Sequence, residues 1–505
     1  MTSAPTPPIA FSTEPGSLRA RFGAVAVDVP ASLIDQLRGV CSSVSVDEVV
    51  RAEAGRDWWP LALRWALAGE VPARPAVVAT PASTPEVAGV LALCAEAGVP
   101  VTAAAGRSGV CGASVPAFGG VALDLTGMQG ILAVDQQSLL VDVLPGTFGD
   151  AFEDSLRLEH GLTAGHWPQS MALSTVGGWL ACRGAGQYST RYGKIEDMAV
   201  GLEVVLADGR VIETGGRAPR AAAGPELTQV FVGSEGTLGV ITRATLRAHP
   251  APEAERRAAY RLSDFAVGLE VCRRILRRGA TPAVLRLYDA HEAKRNFSVE
   301  DAAVLIVLDE GDPGLVDAVM AVVAKECAAG DAVPEDPALV GRWLEHRNDV
   351  SALESLTRAG IVVDTIEIAA RWSALPAIYN DAVAALLALE GTLAATAHQS
   401  HAYADGACLY FTFAGRVEAG EAGGPDKADA YYLRAWDVVT HTVLAHGGAL
   451  SHHHGVGLNR NRFMASALGP GLDVLAAIKA ALDPRGILNP GKLGLPSRFG
   501  EVPWP

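Results

Sequence analysis

Three glycine-rich turns lie within one stretch of about 140 residues, and they restrict the fold more than any other feature of this sequence. They are residues 104–112 (AAGRSGVCG), 168–179 (PQSMALSTVGGW) and 233–242 (GSEGTLGVIT). Small residues allow close approach of the backbone to a ligand, and backbone N–H groups can converge on an oxygen-rich group. None of the turns has the G-x-G-x-x-G or G-x-x-x-x-G-K-[ST] pattern. One such turn alone is also typical of an ordinary loop, but three together predict a backbone wrapped around a large, polyoxygenated cofactor.

The elements around these turns indicate an α+β fold with a mixed sheet. Residues 77–79 read as a strand, Thr84-Pro85-Glu86 begins a helix, and residues 99–103 return as a strand. Later strands are predicted at residues 203–206 and 210–213, joined by a hairpin at Asp208-Gly209, and at residues 231–232 and 240–246. The predicted divisions are an N-terminal arm (1–72), a first domain (73–250), a second domain with its own sheet (251–440) and a C-terminal segment (441–505).

Charge and cysteine content exclude several classes of function. The chain has 41 Lys and Arg against 56 Asp and Glu, a net charge of −15, and an acidic surface repels nucleic acid. Its 7 cysteines have no C-x-x-C spacing, which argues against a disulfide framework and fits a reducing compartment. No signal peptide and no apolar run of about 20 residues is apparent. A cytoplasmic enzyme is therefore predicted; a homodimer and transient membrane contact are both compatible with the sequence.

Three adjacent histidines, His452, His453 and His454, stand in the string SHHHGVG. On an extended segment, His452 and His454 would face one way and His453 the other. Three interpretations are open: a histidine-rich surface loop, a metal pair of His452 and His454 without an obvious third ligand, or proton transfer and anion stabilisation. Because a buried imidazole needs a partner, we favour the third interpretation and predict no metal.

The strings GRSGVCG, STVGGW, RYGKIEDM, GSEGTLGVIT and LDPRGILNPGKL together resemble the FAD-binding fold of the vanillyl-alcohol-oxidase type, the FAD-linked oxidases of type 4. The resemblance implies FAD and a bilobal protein: an FAD-binding domain built from both ends of the chain, and a cap domain whose antiparallel sheet is flanked by helices. The family usually has glycines where this chain has Ala104 and Ala105, but methyl groups leave the N–H donors in place. The cofactor contacts that it implies are Ala104, Ala105, Gly106, Arg107, Ser108, Gly109, Gly112, Gln169, Ser170, Ser174, Thr175, Gly178, Arg183, Glu235, Gly236, Thr237, Gly239, Val240 and Ile241.

Within this group, SHHHGVG, DGACLYFTF (405–413) and VLRLYD (284–289) resemble segments of the alkyl-dihydroxyacetone-phosphate synthases. The resemblance implies catalytic roles for Tyr410 and the three histidines in proton transfer, and for Arg286 in positioning the substrate. It also implies an exchange without net redox change: flavin N5 displaces the fatty acid of an acyl-dihydroxyacetone phosphate, and a fatty alcohol then displaces the flavin, giving an ether lipid. A half-buried core tyrosine and a structural ion pair remain the alternatives for Tyr410 and Arg286.

One position departs from that family. The arginine that would contact the phosphate falls on Leu353, nineteen residues before Trp372. Arg347 is predicted to bind the substrate in its place, with Arg358 as an alternative, unless the small-molecule or lipid substrate carries no phosphate. The alternative function is an FAD-dependent dehydrogenase or oxidase acting on a 2-hydroxy acid or alcohol, whose relatives usually show Glu-His-Gly instead of His-His-Gly. A flavin-binding protein without activity is the third possibility.

Overall fold

The computed structural model describes residues 8–216, 218–350, 352–417 and 426–504. Within these ranges, helices and strands alternate in the first half, around a four-stranded and a five-stranded sheet, and a seven-stranded sheet forms the second half. Two short two-stranded sheets complete the set: Arg19–Ala20 pairs with Glu70–Val71, and His249–Pro250 pairs with Leu162–Thr163.

The four-stranded sheet contains the predicted strand–helix–strand unit. Its strands, in spatial order, are Ser43–Ser45, Val77–Thr80, Val121–Asp124 and Val101–Ala104, and the last three run parallel. The helix Thr84–Ala97 buries Val87, Val90 and Leu91, and ends at Gly98, whose φ of 67° is the left-handed conformation that favours glycine. The N-terminal arm adds the strand Ser43–Ser45 and contributes the helices Ala31–Val40, Glu48–Glu53 and Pro60–Leu67.

The five-stranded sheet is antiparallel, and the third glycine-rich turn leads into its central strand. Its strands, in spatial order, are Val211–Glu213, Ala199–Val205, Val240–Arg247, Leu140–Val143 and Ile131–Asp135. The hairpin predicted at Asp208-Gly209 is confirmed, with φ of 83° at Gly209. The strand predicted at residues 231–232 is wrong: Thr228–Phe231 is a single helical turn, closed by a bond from the Val232 N–H to the Thr228 carbonyl. The other helices here are Gly149–His160, Val176–Cys182, Ser189–Tyr192 and Ile195–Met198.

The seven-stranded sheet is antiparallel and flanked by helices, as the resemblance implies. Its strands, in spatial order, are Val333–Glu335, Ala254–Leu262, Ala303–Gly311, Val284–Tyr288, Thr392–Ala402, Gly406–Arg416 and Ile361–Arg371. One face packs into a core with the helices Phe265–Arg277, Pro313–Ala328, Leu375–Leu387 and Lys427–Ala445. The helices Ala290–Phe297 and Ala338–His346 lie against the other face, and Ala352–Arg358 precedes the last strand. Because side chains alternate along a strand, Leu409, Phe411 and Phe413 enter the core while Tyr410 lies on the opposite face.

The segment after this sheet returns to the first half of the molecule. It contains the helices Met464–Leu468 and Gly471–Leu482, and Leu488 then forms a parallel bridge with Val101 of the four-stranded sheet. The ammonium group of Lys479 donates to the Thr237 carbonyl at 2.7 Å. In the described ranges, no single helix is long and apolar enough to cross a membrane; Asn461–Leu468 and Gly471–Leu482, bent by 117°, reach that length only as a pair.

Candidate active site

A cavity of about 960 Å³ lies where the two halves of the molecule meet. Ligand pockets in proteins usually enclose about 300–1,000 Å³, so this cavity can hold a large cofactor together with part of a substrate. Its walls come from all three glycine-rich turns, from the inner face of the seven-stranded sheet and from the histidine segment.

The glycine-rich turns lie so close to one another that larger residues would not fit. Such close packing of the backbone is typical of a cofactor site. A Cβ atom at Gly106 would lie 2.1 Å from the Leu173 carbonyl oxygen, so the first turn touches the second directly. At Arg107 and Gly236 the chain has φ of 50° and 70°. In the second turn, the Thr175 hydroxyl accepts a bond from the Gly178 N–H at 3.3 Å. Small residues of the turns therefore line the cavity, where the backbone can come close to the oxygen-rich part of a cofactor.

Most of the predicted cofactor residues line this cavity, and three do not. Gly112 packs against Trp59 instead, and the mostly exposed Arg183 forms an ion pair with Glu196 at 3.3 Å. Thr237 is buried, and its hydroxyl donates to the Ser234 carbonyl at 2.7 Å. The residues that do line the cavity are Ala104, Ala105, Gly106, Arg107, Ser108, Gly109, Gln169, Ser170, Ser174, Thr175, Gly178, Glu235, Gly236, Gly239, Val240 and Ile241.

The side chain of Glu235 also has a task that the sequence did not predict. Its carboxylate accepts bonds from the N–H groups of Val456 at 2.6 Å and Gly457 at 3.0 Å. Burial raises the pKa of this carboxyl group. The side chain therefore holds the end of the histidine segment against the cofactor turn.

Glu367 organises the histidine segment from the other side. Its buried carboxylate accepts bonds from the N–H groups of His453 and His454, both at 3.1 Å, and from that of His452. The guanidinium of Arg460 lies 2.9 Å from the same carboxylate. Burial opposes ionisation of Glu367, but the charge of Arg460 outweighs it and holds the pKa of this carboxyl well below its usual range.

This curled backbone overturns the predicted alternation of the histidines. His453 and His454 both line the cavity, whereas His452 turns away and its Nε2 lies 3.0 Å from the Tyr403 hydroxyl. The surface-loop interpretation is also wrong, because the side chains of His453 and His454 are only 15% and 14% exposed.

The three imidazoles are neutral at pH 7. Burial lowers the pKa of His452 and His453 to about 3 and that of His454 to about 4. A neutral imidazole offers one donor and one acceptor nitrogen, so the segment can pass a proton without carrying a charge.

We expect the stability of the folded protein to fall steeply as the pH drops below about 6.5. The unfolded chain binds protons on these histidines near pH 6.5, and the folded chain does so only near pH 3–4. Each of these histidines then lowers the free energy of unfolding by up to about 1.4 kcal/mol per pH unit. Melting temperatures measured from pH 7.5 to 5 check this, and His453→Gln should make the slope shallower by one proton; an unchanged slope contradicts it.

Tyr410 lies in a row of polar side chains that crosses four adjacent strands. Glu367, Tyr410, His398 and Tyr288 are successive cross-strand neighbours. The phenol ring stacks on His398 with centroids 5.0 Å apart, and its oxygen accepts a bond from the Thr365 hydroxyl at 3.0 Å. Burial raises the pKa of Tyr410, so its hydroxyl stays protonated. The structure thus places Tyr410 on the cavity wall and contradicts the core-tyrosine alternative.

Arg286 is held by neutral groups. Its Nε donates to the Tyr288 hydroxyl at 3.1 Å, and its Nη2 lies 2.8 Å from His398 Nε2. Because a guanidinium only donates, His398 Nε2 must accept and Nδ1 carries the proton toward Glu292, 2.8 Å away. Among the described residues no carboxylate pairs with Arg286 directly, which contradicts the structural ion pair and leaves a positive charge facing the cavity.

Arg347 is the second cation on this wall. It is largely buried, and its Nη1 donates to Gln187 Oε1 at 3.2 Å. The guanidinium carbons of Arg286 and Arg347 each lie 5.4 Å from the centre of the Trp343 ring. Leu353 also lines the cavity, whereas the alternative Arg358 lies outside it and pairs with Glu354 at 2.7 Å.

Four side chains near the histidine segment could hold a metal ion. Ligand atoms of His401, Cys408, His452 and His453 all lie within 4.8 Å of one another. Nitrogen and thiolate ligands suit zinc, but burial raises the pKa of the Cys408 thiol, so a metal would have to displace its proton. His454 does not belong to this group, so the alternative interpretation of His452 and His454 as a metal pair is wrong.

The comparisons with known proteins agree with this geometry. Residues 75–215 match the family described as FAD binding domain, and residues 251–493 match FAD linked oxidases, C-terminal domain. The oxidoreductase YgcU of Escherichia coli O157:H7, an FAD-linked protein, is 32% identical over 409 residues, covering 78% of this chain and 83% of YgcU. This chain belongs to the FAD-linked oxidase family. FAD is therefore its cofactor, as the resemblance of the sequence implies.

A sequence relative and a solved structure bear the name to which the more specific resemblance pointed. Alkyldihydroxyacetonephosphate synthase of Dictyostelium discoideum is 29% identical over 465 residues, covering 84% of this chain and 74% of that protein. A solved structure of an alkyldihydroxyacetonephosphate synthase superposes with a TM-score of 0.79 at 24% identity, covering 95% of this chain and 89% of that one. That superposition confirms the fold.

Sequence reasoning missed several residues of this FAD-linked oxidase. Glu292, Glu367, His398 and Arg460 support the cavity wall, and His166 faces the cavity. A usable signal exists for Glu367, because a lone carboxylate between Ile366 and Ile368 on a buried strand needs a partner.

Proposed function

We propose that this FAD-linked oxidase exchanges the acyl group of an acyl-dihydroxyacetone phosphate for a fatty alcohol. The carbon–oxygen bond to the departing carboxylate breaks and a carbon–oxygen bond to the alcohol forms, so a fatty acid leaves and there is no net redox change. Bound FAD would supply the reactive ring nitrogen. The observation that carries the proposal is one cavity wall with a protonated Tyr410, neutral His453 and His454, and the positively charged Arg286.

The residues on this wall have distinct tasks in that exchange. A proton must leave the carbon that loses the acyl group and later return to it, and a second must leave the incoming alcohol. Neutral His453 and His454 can each accept a proton on one ring nitrogen while the other ring nitrogen releases its own, and the Tyr410 hydroxyl can release and regain its proton, so protons can be relayed along this wall without a lasting buried charge. The Tyr410 ring lies 6.1 Å from that of His453 and 5.5 Å from that of His454, measured between centroids, so the three side chains face one region of the cavity.

Arg286 and Arg347 would bind the phosphate. Their guanidinium groups lie on the same Trp343 ring, and among the described residues neither has a carboxylate partner. Such a pair can bind an anion through charged hydrogen bonds even in an acidic protein.

We expect Arg347→Ala to raise KM for the phosphorylated substrate by about tenfold to a hundredfold with little change in kcat, because a charged hydrogen bond is lost in both ground and transition states. Steady-state exchange kinetics check this, with Arg358→Ala as the matched surface control. Adding Leu353→Arg to the Arg347→Ala variant should recover part of the loss. An unchanged KM would contradict the assignment of Arg347.

Oxidation of a 2-hydroxy acid is the second candidate. Leu353 on the cavity wall favours it, because an apolar side chain stands where the synthase resemblance implies a phosphate-binding arginine. Arg286 and Arg347 would then bind the substrate carboxylate, and Tyr410 would orient the hydroxyl group while hydride passes to the cofactor. The oxidoreductase name of YgcU supports this candidate as well.

One pair of assays separates these functions. Incorporation of a labelled fatty alcohol into acyl-dihydroxyacetone phosphate, with the flavin still oxidised afterwards, supports the exchange. Bleaching of the flavin by a 2-hydroxy acid in the absence of air supports oxidation and overturns the exchange. If the holoenzyme gives neither response, a flavin-binding protein without activity remains.

A further inference from the structure

The imidazole of His166 is a buried polar group that nothing else in the described part of the chain satisfies. Neither Nδ1 nor Nε2 has a hydrogen-bond partner, and the residue is 1% exposed. The ring lines the cavity and packs against Trp179 with centroids 4.5 Å apart. Buried polar groups in proteins are nearly always paired, so an unpaired imidazole on a cavity wall indicates a partner that enters with the ligand.

The backbone fixes this ring in place without the help of hydrogen bonds from the ring. Gly165 has φ of 67°, and a Cβ atom there would lie 2.3 Å from the Tyr192 ring. On the other side, a Cβ atom at Gly186 would lie 2.4 Å from the Trp167 nitrogen. Close packing of the backbone on both sides of His166 thus restricts the movement of this residue on the cavity wall, which is the preorganisation that a binding group needs.

The location of His166 indicates which ligand it meets. It stands three residues before Gln169, at the start of the second glycine-rich turn, and Trp179 belongs to the helix Val176–Cys182 that follows this turn. Burial, with a smaller contribution from the nearby His453, lowers the pKa of His166 to about 3. The ring is therefore neutral, with one donor and one acceptor nitrogen, at the border between the cofactor turns and the histidine segment.

We propose that His166 is a cofactor-binding residue whose neutral imidazole donates a hydrogen bond to the ring system of FAD. This proposal rests on membership of the FAD-linked oxidase family and not on the acyl–alkyl exchange. The hydrogen bond would stabilise the electron-rich state of the flavin ring, which carries additional negative charge, more than the oxidised state.

The test uses two variants that lack a donor but differ in volume, His166→Leu and His166→Phe, together with His166→Gln, which keeps one. Flavin fluorescence during titration of the apoprotein gives the FAD dissociation constant. Sulfite titration of the holoenzyme gives a second readout that is independent of turnover, because sulfite adds to the flavin ring and leaves a negative charge on it. His249→Phe is the matched control: like His166, His249 packs on an aromatic ring, that of Tyr192 with centroids 5.0 Å apart, but it does not line the cavity.

We expect both donor-free variants to raise the FAD dissociation constant about tenfold, the loss of one hydrogen bond to a buried group, and to weaken sulfite binding to a similar extent. Their apoproteins should melt at the same temperature as the native apoprotein or higher, since an unpaired buried polar group has been removed. His166→Gln should fall between them and the native protein. The proposal is overturned if either donor-free variant binds FAD and sulfite with native affinity. It is also overturned if the losses follow side-chain volume and the apoprotein melts at a lower temperature, since that would show a packing role.

Discussion

Glu367→Gln is expected to destabilise the enzyme by about 3–5 kcal/mol, because it leaves the buried charge of Arg460 without its partner. Both side chains are fully buried, and their charged groups lie 2.9 Å apart. The amide that replaces one carboxylate oxygen would also turn a donor toward the N–H groups of the histidine segment. Few single substitutions cost this much. Urea unfolding of the holoenzyme measures the change directly.

The control is Glu354→Gln, which removes an ion pair of similar length, 2.7 Å from Arg358, with both side chains about half exposed. Surface pairs contribute little, so this variant should change the unfolding free energy by about 0.5 kcal/mol or less. Equal effects of the two substitutions would mean that Glu367 does not organise the histidine segment. Retained FAD binding by Glu367→Gln would show that the damage is confined to the substrate side of the cavity.

Tyr410→Phe is expected to reduce the rate of the exchange by a factor of about 10² to 10⁴, the usual contribution of a general acid–base group. The ring stacking on His398 would remain, since only the hydroxyl that accepts a bond from Thr365 is removed. We therefore expect normal FAD content and an unchanged melting temperature. Single-turnover transfer of labelled alcohol measures the effect on the chemical step.

Thr365→Val is the matched control for Tyr410→Phe. It removes the hydrogen bond of 3.0 Å to the phenol oxygen but leaves the phenol itself, so the rate should fall about tenfold or less. If Tyr410→Phe transfers alcohol at the native rate, the phenol has no part in proton transfer. If the enzyme instead proves to oxidise a hydroxy acid, Tyr410→Phe should chiefly raise KM, because Tyr410 would then orient the hydroxyl group of the substrate.

The parts of the fold that depend on neighbouring residues could be predicted from the sequence. The helix Thr84–Ala97 has its start signal, its apolar spacing and its terminal Gly98 within one short stretch. The glycine-rich turns are also local, because close backbone approach leaves its mark at the turn itself. Even Gly112, which does not reach the cavity, is glycine for a packing reason: it lies against Trp59.

The arrangement of the site depends on partners far apart in the chain, and this is where prediction failed. The orientation of His452, His453 and His454 is set by Glu367, which lies some 85 residues earlier, and not by the alternation of a strand. The chain Arg286–His398–Glu292 likewise joins two strands and a helix. Residue types alone identified Arg286 as unusual, but only the folded sheet shows that its partners are neutral.

The return of the chain after the seven-stranded sheet has a consequence for biosynthesis. In the third turn, the carbonyl groups of Thr237 and Glu235 accept hydrogen bonds from Lys479 and Asn489. The carbonyl of Val115, just after the first turn, accepts one from Lys492 at 2.8 Å. These parts of the cofactor site are therefore held by residues that are synthesised more than 200 positions later. A nascent chain that has reached only residue 470 on the ribosome contains all three cofactor turns but lacks the residues that hold them in place. We therefore expect stable retention of FAD to begin only after release of this final segment, and ribosome-bound chains stalled before it to remain colourless.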